Sequence, residues 1–176
     1  MNISNFLIES AGRKPEHPAI RFLERTITYA ELNRQVDRLS HGLVHAGLRP
    51  KDTCVLMMPN SIDWAIVYYA LAKVGAVVLP VNFLYRVGEL DHIFKDSGAR
   101  AFIGHKDYLE QPRQVMSHLP EMDLRIAQGI SPTQGFVPLK ELFAEDKNFR
   151  PFETRDDDTW AIIYTSGTTG HPKGAM

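Results

Sequence analysis

The chain has 176 residues, 44% of them hydrophobic and 23% charged, a composition that supports one sizeable core or two small ones and excludes a disordered chain. With 20 basic and 21 acidic residues the formal net charge is -1, so no global field draws the protein onto nucleic acid or anionic lipid, although a compact local phosphate site is compatible with it. The single cysteine, Cys54, excludes an intrachain disulfide and a four-thiolate zinc site and fits a reducing compartment, so a cytoplasmic location is expected.

Residues 1–14 lack a basic start and carry Glu9 in their most apolar stretch, unlike a secretory signal peptide. Ala19–Leu23 and Thr26–Thr28 flank the polar link Glu24-Arg25 and predict a short hairpin. Thr28 and Glu31 form a capping-box pattern that starts a helix at Tyr29. Tyr29, Leu32, Val36, Leu39 and Leu43 then make one helical stripe, which Gly47 can end in a left-handed conformation. Asp37, His41 and His45 share a face of this helix. Asp37 and His45 are separated by roughly 12 Å of helix rise, too far to share one ion, so the three are read as a solvated polar face.

Thr53–Met58 reads as a strand buried on both faces, and Ser61 as the cap of the next helix. Residues 62–74 are apolar on nearly every side, which predicts a helix covered by protein, with Trp64, Tyr68 and Tyr69 in the core. Lys73, Gly75 and Pro80 interrupt the run from Trp64 to Val81, and a membrane span needs roughly 20 mostly apolar residues, so no transmembrane segment is expected. Ala76–Leu79 returns as strand. A third round follows, with a helical stripe at Val87, Leu90, Ile93 and Phe94, a stop at Gly98 and a strand over Arg100–Gly104. The alternation implies an α/β fold, a mostly parallel sheet with helices on both faces, preceded by the small hairpin.

Between Gln111 and Pro138 a short helix at Pro112–His118 and a strand at Leu124–Ala127 are expected, and Lys140–Arg155 suggests a short helix and a polar connection. Asp156, Asp157 and Asp158 read as a solvated turn before a buried-type strand, Trp160–Tyr164. That strand runs into Thr165-Ser-Gly-Thr-Thr-Gly-His-Pro-Lys173-Gly174. Glycines let backbone N–H groups approach a polyphosphate, hydroxyls add neutral donors, and Lys173 supplies a mobile charge. The spacing fits neither of two common phosphate loops. A G-x-x-x-x-G-K-[ST] pattern begun at Gly167 meets Pro172 and Gly174 at the wrong places, and Gly167, Gly170 and Gly174 do not make G-x-G-x-x-G. Ser166 lies outside a G-x-S-x-G elbow, so it is not read as a hydrolase nucleophile.

The string Tyr164-Thr-Ser-Gly-Thr-Thr-Gly-His-Pro-Lys-Gly174 closely resembles the phosphate-loop signature of the AMP-forming acyl-CoA synthetase superfamily, the adenylate-forming ligases. Tyr29-Ala-Glu-Leu-Asn33, Met58-Pro-Asn-Ser61, Ala70-Leu-Ala-Lys-Val-Gly-Ala76, Pro80-Val-Asn82 and Asp96-Ser-Gly-Ala-Arg100 resemble its N-terminal region in the family's order. The resemblance implies a partial N-terminal domain over residues 1–176, with its phosphate loop at 164–174. The implied reaction activates a carboxylic acid, fatty or aromatic, with ATP and Mg2+ to an acyl-adenylate and transfers the acyl group to coenzyme A. By the same resemblance Thr165, Ser166, Gly167, Thr168, Thr169, Gly170 and Lys173 bind the ATP phosphates. No catalytic residue or metal ligand is expected here, because the adenine, acyl and coenzyme A pockets and the catalytic lysine belong to parts of the family's enzymes beyond this region. The chain alone is therefore expected to be inactive and to self-associate through uncovered apolar surface. Two alternatives share the same loop or fold: an adenylation domain loading a carrier protein, and a non-catalytic binding or assembly module.

Overall fold

The computed structural model describes residues 2–132, 135–145, 148–165 and 173–176. Helix α1 (Ser4–Arg13) is followed by the antiparallel hairpin β1 (Pro18–Phe22) and β2 (Arg25–Thr28) and by α2 (Tyr29–His45). The hairpin turns at Leu23 and Glu24, one residue earlier than expected, with Leu23 taking a positive φ of 51°. Thr28 caps α2 by accepting the Glu31 N–H, and Gly47 beyond its end has φ 99°.

Next come β3 (Thr53–Met57), α3 (Ile62–Val74), β4 (Val77–Pro80), α4 (Val87–Asp96), β5 (Ala101–His105), α5 (Glu110–Met116), β6 (Leu124–Gln128) and β7 (Val137–Pro138). The expected strands slip by a residue at their ends. Ala76, for example, donates its N–H back to Leu71, so it closes the left-handed exit from α3 at Gly75 and does not open β4. The five strands form one parallel sheet in the order β4-β3-β5-β6-β7.

Alternation along the strands splits the core in two. Cys54, Leu56, Ile103 and Ile126 face α2 and α3, whereas Val55, Met57, Phe102 and Ala127 face α4 and α5. Helices thus cover both faces, as a parallel sheet requires. Cys54 is fully buried, and burial, reinforced by the Asp52 charge, pushes its thiol pKa up, so its reduced state follows from its place in the core.

No element is expected before the hairpin, yet α1 stands there, and three expectations fail for reasons visible in the packing. Helix α1 has no side-chain N-cap, and tertiary contacts hold it. The Asn2 side chain accepts the Ser4 N–H at 2.9 Å and donates to the carbonyls of Ala72 (2.7 Å) and Phe152 (3.1 Å). Within Lys140–Arg155 the only helical turn among the described residues is a 3-10 turn, Leu139–Leu142. Asp37, read as solvated, is 3% exposed. The segment after the 3-10 turn covers the neighbouring side of α2: Arg38 Nε donates to the Ala144 carbonyl at 2.7 Å, and the His41 ring meets Phe149 edge-on at 4.9 Å. His45 is exposed, as expected. Trp64, Tyr68 and Tyr69 are half-buried and not core, so α3 is incompletely covered. Trp64 and Tyr68 stack at 5.1 Å, and Tyr68 meets Trp160 edge-on at 6.3 Å.

Gly42 lets α2 come this close to its cover, since a Cβ built there would lie 1.7 Å from the Leu142 carbonyl oxygen. On the other side, Asp37 meets the buried Lys73 of α3, whose Nζ donates to Asp37 Oδ1 and, at 3.3 Å, to Asn33 Oδ1. Removing one partner of such a pair strands the other charge in the core. Lys73→Met should therefore cost about 3–5 kcal/mol in urea unfolding, and Lys73→Met combined with Asp37→Leu should recover most of it.

Candidate phosphate-binding site

Residues 159–165 reach the site along the outer edge of β4. Val78 donates its N–H to the Trp160 carbonyl and accepts the Ile162 N–H, both at 3.0 Å, so Ala161 lies beside Val78 in parallel. This register carries the chain past Pro80, the last residue of β4, to the carboxyl end of the sheet, where open α/β folds bind ligands. There β8 (Ile163–Thr165) pairs antiparallel with β9 (Lys173–Ala175), bringing Thr165 opposite Lys173.

Of the residues expected to bind phosphate, Thr165 and Lys173 are therefore held across one hairpin neck, and both are exposed. Ser166, Gly167, Thr168, Thr169 and Gly170 lie outside the described residues. Among the described residues no carboxylate pairs with the Lys173 ammonium. A cation and a hydroxyl at the carboxyl end of a parallel sheet suit an anionic ligand. The approach strand was expected to be buried; instead Trp160 is 48% and Ile163 55% exposed, although β4 flanks residues 160–162 and β9 pairs with Ile163.

One residue of the signature is anchored from a distance. Tyr164 donates its hydroxyl to Asp96 Oδ2 at 2.5 Å, and its ring lies T-shaped to that of His92 with centroids 6.5 Å apart. Burial, then the Asp96 carboxylate, pushes the phenol pKa up. On the neck itself Tyr164 is opposite Gly174, where an added Cβ would lie 3.0 Å from Ile162 Cγ2 and 3.1 Å from Tyr164 Cζ. A side chain at Gly174 would make these neighbours give by a few tenths of an ångström. Sequence reasoning missed the contribution of Asp96 and His92, since the contact to Asp96 spans 68 positions and leaves no local pattern.

The side candidates stay apart from this site. Asp158 pairs with Lys51 at 2.9 Å, and the N–H of Arg155, followed by Lys51, holds its carboxyl below the usual range; Asp157 meets Arg155 at 2.9 Å. Among the described residues no group of three or more His, Cys, Asp and Glu side chains is placed to hold a metal ion, and no helix is long and apolar enough to cross a membrane.

Comparison with known proteins fits this geometry. A feruloyl-CoA synthase of an Amycolatopsis species is 36% identical over 174 residues, covering 99% of this chain and 33% of the relative. A fatty acid–[acyl-carrier-protein] ligase, ScoC, of Streptomyces coeruleorubidus is 32% identical over 172 residues, covering 94% of this chain and 31% of its own length. Among solved structures, the anthranilate CoA ligase AuaEII in complex with anthranoyl-AMP superposes with a TM-score of 0.92 at 22% identity, over 99% of this chain and 34% of that one, a likeness of fold. The chain thus spans about a third of the length of these relatives. The family description "AMP-binding enzyme" matches residues 7–176, and the chain belongs to that family.

Proposed function

We propose that this chain is part of the N-terminal domain of an AMP-forming carboxylate–CoA ligase and supplies the part of its site that holds the ATP phosphates. The observation that carries the reading is the hairpin neck at the carboxyl end of the sheet, where Thr165 and Lys173 face each other at the two ends of the Gly/Ser/Thr run. Family membership and the relatives' names support it. In the proposed reaction a carboxylate oxygen bonds to the α-phosphorus of ATP as the bond to pyrophosphate breaks. The thiol of coenzyme A then takes the acyl group and AMP leaves. Lys173, the Thr165 hydroxyl and the hydroxyls and amides of Ser166, Gly167, Thr168, Thr169 and Gly170 would bind the β- and γ-phosphates and orient pyrophosphate as leaving group.

Magnesium would accompany the nucleotide. The described residues offer it no carboxylate cluster, so no step is assigned to the ion here. The acid is proposed as a class, fatty or aromatic, in line with relatives named for a fatty acid and a feruloyl group. A second reading, transfer to a carrier protein in place of coenzyme A, is favoured by the likeness to ScoC. Turnover of the full-length gene product with free coenzyme A would decide between them. The exposed Trp160 and Ile163 support self-association of the chain, which a monomeric elution profile at high concentration would contradict.

Isothermal titration of Mg-ATP into the chain should show saturable binding, weakened at least tenfold, about 1.4 kcal/mol, by Lys173→Ala. Equal binding by the two proteins would remove Lys173 from the site. Residues 1–176 by themselves should form no acyl-CoA from ATP, coenzyme A and a panel of fatty and aromatic acids; turnover would show that the reaction needs nothing further.

A further inference from the structure

We propose that Asp96 is a positioning residue for Lys173, acting through the ring of Tyr164. The inference deepens the phosphate-binding reading and rests on it for its functional consequence. Asp96 is the last residue of α4, where the partial negative charge of the helix carbonyls disfavours a carboxylate. It is also exposed, so burial does not demand a partner. It nevertheless accepts the Tyr164 hydroxyl at 2.5 Å, while His92, one turn earlier on the same helix, lies T-shaped to the same ring with centroids 6.5 Å apart. Two residues of a single turn of α4 thereby contact Tyr164, one at its hydroxyl and one at its ring.

What the ring then fixes is the return strand. Tyr164 and Gly174 are partners across the hairpin, and Gly174 packs so closely on Ile162 and the ring that a Cβ would lie within 3.2 Å of Tyr164 Cε2. Lys173 immediately precedes Gly174 and sits opposite Thr165. The strand bearing the lysine therefore rests on a ring held from α4, and the chain Asp96, Tyr164, Gly174, Lys173 ties the cation to the main sheet's helical layer.

Geometry and charge predict opposite signs. As a mere negative charge near the site, Asp96 would repel a triphosphate, and its removal would tighten binding. As a positioning residue its removal must weaken binding. Asp96→Ala removes the acceptor, Asp96→Asn keeps an acceptor without the charge, and Tyr164→Phe keeps the ring without the donor. In Mg-ATP titrations of the full chain, Asp96→Ala and Tyr164→Phe should each bind about tenfold more weakly, as expected for loss of one charge-assisted hydrogen bond, and Asp96→Asn should stay close to the parent.

A ligand-independent measurement accompanies these. The Gly174 α-proton shifts, displaced by the Tyr164 ring current, should move toward unstructured values in Asp96→Ala and keep their displacement in Asp96→Asn, with amide resonances of the main sheet unchanged in both. Unaltered Gly174 shifts in Asp96→Ala, or binding by Asp96→Ala that is equal to or tighter than the parent's, would overturn the proposal. If the parent chain fails to bind Mg-ATP, the phosphate-binding reading of this chain fails, and the Gly174 shifts still decide whether Asp96 sets the strand. If Asp96→Ala does not fold, the same two readouts on Tyr164→Phe decide.

Discussion

A buried ammonium must meet a buried carboxylate, and the packing of α2 on α3 depends on that requirement. Lys73 and Asp37 are both nearly inaccessible, and Asn33 gives the pair a further polar neighbour. Such a pair adds little net stability against an apolar core of the same shape, but it penalises any arrangement that separates its members. It therefore specifies how two otherwise greasy helices meet, at a place where Leu39, Leu43, Val67 and Leu71 could pack in several ways. Gly42 serves the same layer from the other side of α2, by admitting the Leu142 carbonyl.

The site depends on a second, weaker attachment. Two backbone hydrogen bonds from Val78 lay residues 160–162 along β4, and everything beyond them follows from that register. Attachment at a sheet edge leaves one side of the strand open, so hydroxyls and a cation can be presented to a ligand without first being stripped of water by the core. It also leaves the strand with few contacts of its own, and the hydroxyl of Tyr164 reaching to α4 compensates for that.

The strands and helices from Tyr29 to His105 were legible because period and punctuation agreed: the caps at Thr28 and Ser61 and the left-handed stops at Gly47, Gly75 and Gly98 all fall where the pattern changes. Helix α1 was illegible because Asn2 holds it through carbonyls far along the chain. Asp37 was misread because helical periodicity assigns a polar residue to water unless a partner such as Lys73 is known to lie opposite. The same holds for Trp64 and Tyr68, which periodicity counts as core and the structure leaves half-exposed beside Trp160. In the site the signature named Thr165 and Lys173 but not Asp96, since a motif records which residues bind and not what holds them in place.

The Asn2 contact to Phe152 joins positions 150 apart, and it bears on how the protein folds as it is made. A contact of such separation carries the entropy of closing a long loop, which the sheet between its ends must offset. On the ribosome the amino-terminal helix emerges first, and the Phe152 carbonyl that Asn2 binds is added 150 residues after Asn2 itself. Until Phe152 is made, Asn2 can reach the Ala72 carbonyl of α3 but not its second acceptor, so the attachment of α1 is completed in two separate steps.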